Sequence, residues 1–163
     1  MKYHILSTSF KNIFLLSVCI GIITSIYSYY KYHPVIKKQE EKISMVDKIN
    51  LYIIRAIHYT MSTFIGIYVF FVEISLVNEL LAIGLVAFMI LHWLYLGECM
   101  FSVAEKKILD KKYIRGSTPR YEPFAIMLSR SFENPEYYEK VNQTHLCMLF
   151  LLGLRFLYAL YIK

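Results

Sequence analysis

The sequence lacks the short motifs that mark the commoner enzyme and channel classes. It has no P-loop, no His-Glu-x-x-His, no Gly-x-Ser-x-Gly and no potassium-filter sequence. It has only three cysteines, Cys19, Cys99 and Cys147, at spacings that make neither a metal knuckle nor a disulfide framework. Residues with GC-rich codons are scarce. Gly, Ala, Arg and Pro total 21, against 72 for Phe, Tyr, Met, Ile, Asn and Lys, which points to an AT-rich source genome. Internal repeats and low-complexity tracts are also missing. Marked catalytic families, disulfide scaffolds and repeat architectures are therefore disfavoured.

Apolar residues are abundant. They make up 57 % of the 163 residues, against about 45–50 % in an ordinary soluble domain, and the mean hydropathy is +0.44. The excess lies in four runs, at about 12–30, 52–72, 76–97 and 146–162. Each is long enough to cross a hydrocarbon core of about 30 Å as a helix. The expected fold is an all-α membrane protein, one transmembrane domain over 1–163, built as a four-helix bundle. Its polar segment, 98–145, forms a cytoplasmic helical loop. Lys2 and Lys11 before the first run also resemble a signal peptide. No small-x-small cleavage site follows Ile26, so a retained span is the better reading.

Local signals refine the ends. Ser44 followed by Asp47 reads as a capping box, which starts the second helix ahead of its span. Asn134-Pro135-Glu136 reads as a helix start, with Asn134 as the cap. The two helices should therefore project beyond the apolar layer. Only residues 73–75 separate the second and third spans, which makes them an antiparallel hairpin. From Glu98 to Tyr113 a helix is expected, with Phe101, Ala104 and Ile108 on one face and Lys106, Lys107, Lys111 and Lys112 on a basic side. It either lies on anionic headgroups or continues the third helix into solvent. Residues 123–132 suit one more short helix.

The formal charge of +6 would suggest nucleic acid in a soluble protein, but here the basic residues flank apolar spans, so orientation by positive charge is the plainer reading. Thirteen lysines and arginines fall in the two loops on one side and three on the other. The positive-inside tendency then puts both loops in the cytoplasm and both termini on the non-cytoplasmic side. Small residues suggest packing faces: Ser17, Gly21 and Ser25 on the first helix, and Ser62 and Gly66 on the second. The first stripe serves either the bundle itself or self-association with another copy or another membrane subunit.

Ionisable groups inside spans cost roughly 2.5–3.5 kcal/mol each at the helix centre, so each needs a reason. His58 lies roughly 9 Å inside one end of the second span, and His92 roughly 7–8 Å inside the same end of the third. Arg55, Glu98, Cys99 and His145 map near that boundary, with Arg155 deeper, about 13 Å from the start of the fourth span. Three readings follow for Arg55, His58, His92, Glu98 and His145. They are interface groups, with Glu98 pairing Arg55 and the histidines bridging helices. Alternatively they form a polar site for a substrate or proton path. In the third reading His58 and His92 ligate a metal or haem, with His145 as a possible third ligand. The residues name no cofactor, and no metal site is assigned.

His92-Trp93, Glu98-Cys99 and Glu105-Lys106-Lys107, followed by Tyr113 and Gly116, resemble a pattern in small multi-pass membrane proteins of large DNA viruses and protists. The resemblance covers about 25 residues. It implies that the third span and its extension act together, and it transfers no catalytic role. The sequence thus leads to two expectations: a structural or accessory subunit acting by assembly, or a small enzyme or transporter using the His/Arg/Glu cluster.

Overall fold

The computed structural model describes residues 8–31, 34–114 and 135–162. They form six helices: α1 (Thr8–Lys31), α2 (Pro34–Lys42), α3 (Met45–Phe71), α4 (Leu76–Leu96), α5 (Met100–Leu109) and α6 (Pro135–Tyr161). No strand occurs among the described residues. Four of the helices, α1, α3, α4 and α6, contain segments long and apolar enough to cross a membrane: Ser9–Tyr27, Met45–Phe71, Leu76–Tyr95 and Gln143–Tyr161. Helices α3 and α6, each of 27 residues, run about 40 Å at 1.5 Å per residue. Both therefore overshoot an apolar layer of about 30 Å.

Helix ends follow the local chemistry. Ser44 caps α3, its Oγ accepting from the Asp47 N–H at 3.1 Å and donating to the Asp47 carboxylate at 2.9 Å. Ser75 caps α4 by accepting the Asn78 N–H at 3.2 Å. Helix α4 ends at Gly97, whose φ of 67° is left-handed and whose N–H donates to the Trp93 carbonyl at 2.7 Å. Glycine tolerates that conformation without steric penalty. The helix expected over Glu98–Tyr113 is present over Met100–Leu109, but Gly97 separates it from α4, so it does not continue the third helix. The chain turns at Gly97 and restarts as α5 at Met100, and α5 packs back against α3. The expected Asn134 cap and the short helix over 123–132 lie outside the described residues.

Two pairs dominate the packing: α1 lies along α3, and α4 lies along α6. A shared core joins them, made of Phe64, Ile65, Tyr68 and Val72 from α3, Ala82, Val86 and Met89 from α4, and Leu152 from α6. Outside this core the long helices present Leu15, Ile23, Ile53, Phe70, Leu91 and Phe150 outward. In water such a continuous apolar surface would drive aggregation.

The α1–α3 crossing is close because the stripe on α1 is small. Ser17, Gly21 and Ser25 are all buried, and Ser25 Oγ donates to the Tyr52 carbonyl of α3 at 3.1 Å. A Cβ on Gly21 would sit 2.8 Å from both the Ala56 carbonyl oxygen and the Thr60 nitrogen. The stripe is thus occupied by α3 of the same chain. Ser62 and Gly66 do not form the matching face expected of them. Both are only partly buried, and a Cβ on Gly66 would meet nothing within 4 Å. Large side chains such as Phe64, Tyr68 and Met89 fill the space between α3 and α4, so that contact needs no glycine. Gly21→Ala should therefore lower stability by about 1–3 kcal/mol through overpacking. Gly66→Ala should leave it unchanged or slightly raised, because alanine favours helix. Thermal unfolding of the two variants in the same detergent gives the comparison, and equal midpoints would contradict the close crossing.

Candidate functional site: buried charge clusters at both ends of the bundle

The first cluster sits where α2 and α5 meet α3, at the end away from the α3–α4 link. Arg55 shares the buried face of α3 with Leu51, His58 and Tyr59. Its Nη2 lies 2.6 Å from Glu40 Oε1 on α2, and its Nε donates to Glu105 on α5. The three side chains are almost wholly buried. One guanidinium thus ties three helices together, and the fork geometry of arginine suits two carboxylates better than an ammonium would. The ring of Tyr52 lies beside the guanidinium, 5.7 Å from centroid to carbon.

Beside this triad Glu98 receives Lys106 Nζ at 2.8 Å, and the Tyr113 hydroxyl at 3.0 Å. Lys106 also lies over the Tyr113 ring at 5.4 Å. The expected Arg55–Glu98 pair is not formed. The turn at Gly97 leaves Glu98 facing Lys106 of the following helix and carries Glu105 back over Arg55. The expected basic side of α5 is corrected at Lys106, which is buried with Ser102 and Glu105, whereas Phe101, Ala104 and Ile108 are partly covered.

The histidines separate. His58 is buried, with Nε2 3.4 Å from Cys99 Sγ and its ring stacked on Phe101 at 5.3 Å. His92 instead turns to its own helix, with Nδ1 3.2 Å from the Phe88 carbonyl and its ring 4.2 Å from that of Phe88. His145 is partly buried on α6. Among the described residues no group of three His, Cys, Asp or Glu side chains could hold a metal ion. Burial pushes the Cys99 thiol above its ordinary value of 9.0. It therefore stays protonated at neutral pH and is a weak nucleophile despite the adjacent imidazole. Burial likewise pushes the Glu40 carboxyl above its ordinary value, against the opposing pull of Arg55.

The second cluster lies at the α3–α4 link. Arg155 of α6 donates from Nε and Nη2 to the Glu79 carboxylate, at 3.1 and 2.8 Å. It also donates from Nη1 to the Val69 carbonyl at 2.8 Å and from Nη2 to the Val72 carbonyl at 2.7 Å. The last carbonyls of a helix have no partner within it, so Arg155 completes the end of α3. Tyr68 lies under the guanidinium at 5.4 Å and donates its hydroxyl to Glu79 at 3.2 Å. Asn78 Nδ2 donates to the Glu73 carbonyl, and the Glu73 N–H donates to Ser9 Oγ of α1 at 2.9 Å. The start of α1, the end of α3, the start of α4 and the last two turns of α6 are thereby joined.

Sequence reasoning missed Glu40, Glu79 and Glu105. Glu79 carried a usable signal, since it is an acid in the first turn of an apolar span, where only a counter-ion makes it tolerable. Glu40 and Glu105 sit among lysines and read as parts of a solvated face. Comparison with family models, curated proteins and solved structures gave no match.

Proposed function

We propose that the chain is a multi-pass integral membrane protein that acts by assembly, as a structural or accessory subunit of a membrane complex or viral membrane. The observation that carries this reading is that every buried charged side chain among the described residues engages an opposite charge: Arg55 with Glu40 and Glu105, Lys106 with Glu98, and Arg155 with Glu79. A catalytic or transport site keeps some of its polar groups poised for substrate. Among the described residues these charged groups are engaged with one another across helices. The outward apolar surface of the four long helices suits lipid and neighbouring spans. The lysine-rich end, with α2 and α5, is read as cytoplasmic and the α3–α4 link as non-cytoplasmic.

The test is the particle mass in mild detergent, by light scattering corrected for bound detergent, alongside the fraction recovered in alkali-washed membranes. The chain should stay in the washed membranes and run as a particle heavier than one 19.3 kDa chain. A monodisperse monomer with no stoichiometric partner would sink the assembly reading. The competing enzyme or transporter reading requires His58→Ala to abolish a cellular activity while leaving the particle intact.

A further inference from the structure

The triad around Arg55 also sorts charge by sign, and this property goes beyond holding helices together. Helices α2 and α5 and the turn after α5 each mix acids and bases in sequence. In the structure Glu40 and Glu105 are drawn inward onto Arg55, and Glu98 inward onto Lys106. What remains outward is mostly basic. Lys38 and Lys42 on α2, Lys107 on α5, and Lys111 and Lys112 just after it are exposed, against exposed Glu41 and Asp110. Both short helices adjoin the ends of long apolar helices, α2 following α1 and preceding α3, and α5 following α4. Five lysines are therefore held beside the boundary where headgroups would lie.

We propose that this lysine surface, formed by α2, α5 and the turn after it, binds the phosphates of anionic phospholipids in the leaflet at that end. The inference rests on the membrane reading above. Charge complementarity chooses the partner: ammonium groups next to an apolar span meet headgroup phosphates before any soluble anion. An anionic leaflet concentrates such charge within a Debye length of the surface. Lys38, Lys42 and Lys107 are presented by two helices that the buried triad pins to α3, and Lys111 and Lys112 by the turn that follows α5.

The experiment is native mass spectrometry of the full chain released from nanodiscs containing equal amounts of phosphatidylcholine and phosphatidylglycerol. The wild-type chain should retain the anionic lipid over the zwitterionic one by at least about threefold, and 0.5 M sodium chloride in the release buffer should erode that preference. Joint replacement of Lys38, Lys42, Lys107, Lys111 and Lys112 by glutamine should bring the ratio near parity. Lys11→Gln, at an exposed position on α1 toward the opposite end, should leave it unchanged. Parity in the wild type, or an undiminished preference in the five-lysine variant, overturns the proposal. If the five-lysine variant fails to reconstitute, the salt dependence of the wild type still decides. Recovery in alkali-washed membranes tests the membrane reading separately, because a chain that washes out fails there whatever its lipid preference.

Discussion

Arg55→Met is expected to lower the stability of the folded chain by about 3–5 kcal/mol, because it leaves buried carboxylates without their cation. The substitution keeps most of the side-chain volume, so the loss reports charge rather than a cavity. Glu40 and Glu105 would then face each other across α3 with nothing to neutralise them, and α2 and α5 would loosen together. Thermal unfolding in detergent should show the drop. Limited trypsin digestion should cut first at Lys42 and Lys107, on the two released helices. The combined variant Arg55→Met, Glu40→Leu, Glu105→Leu should recover most of the loss, since exchanging a whole buried ion group for apolar side chains is often neutral. A combined variant as unstable as Arg55→Met alone would show that the triad is not a closed electrostatic unit.

The same triad sets a direction with pH. Burial holds Glu40 above its ordinary value of 4.5, so the folded chain takes up this proton more readily than the unfolded one. The stability from Glu40 is full below about pH 4.5 and is lost as pH rises through the folded value. Glu40→Gln should flatten that part of the stability profile.

Arg155→Met should cost a similar amount, about 3–5 kcal/mol, at the opposite end. Here one guanidinium serves two purposes. It neutralises Glu79 and it satisfies the Val69 and Val72 carbonyls at the end of α3. Arg155→Lys separates the two: an ammonium keeps the charge but lacks the planar fork that reaches a carboxylate and two carbonyls at once. Its melting temperature should fall between those of the wild type and Arg155→Met. Adding Glu79→Gln to Arg155→Met should restore part of the loss by removing the orphaned charge. If Arg155→Lys matched the wild type, the carbonyl contacts would contribute nothing measurable.

The parts of this architecture legible in the sequence are those with a long-range periodic or compositional signal. The four long helices fall where the apolar runs lie, and the Ser44 half of the capping box forms because it needs only residues three apart, the Asp47 carboxylate accepting from the Ser44 hydroxyl. The Ser17–Gly21–Ser25 stripe pointed to a close crossing, although nothing in it revealed that α3 would be the partner. The clusters were less legible because ion pairs depend on how the chain turns. A single left-handed residue, Gly97, exchanges the partner of Arg55 from Glu98 to Glu105. Helix α2 has no legible signal because its nine residues, three of them apolar, carry too weak a pattern beside the span that precedes them. Helix rise alone gives His58 and His92 similar expected depths. Depth does not fix rotation about the axis, however, and the rings point to different neighbours.

The placement of Arg155 also imposes an order on synthesis. Glu79 and the carbonyls at the end of α3 precede the side chain that satisfies them by 76 to 86 residues, and that side chain lies on α6. With only α1, α3 and α4 in place, Glu79 lies in an apolar helix without its counter-ion and the end of α3 lacks its cap. Arrival of α6 supplies both. The join of α3, α4 and α6 at this end thus depends on an arginine that α1, α3 and α4 do not supply there.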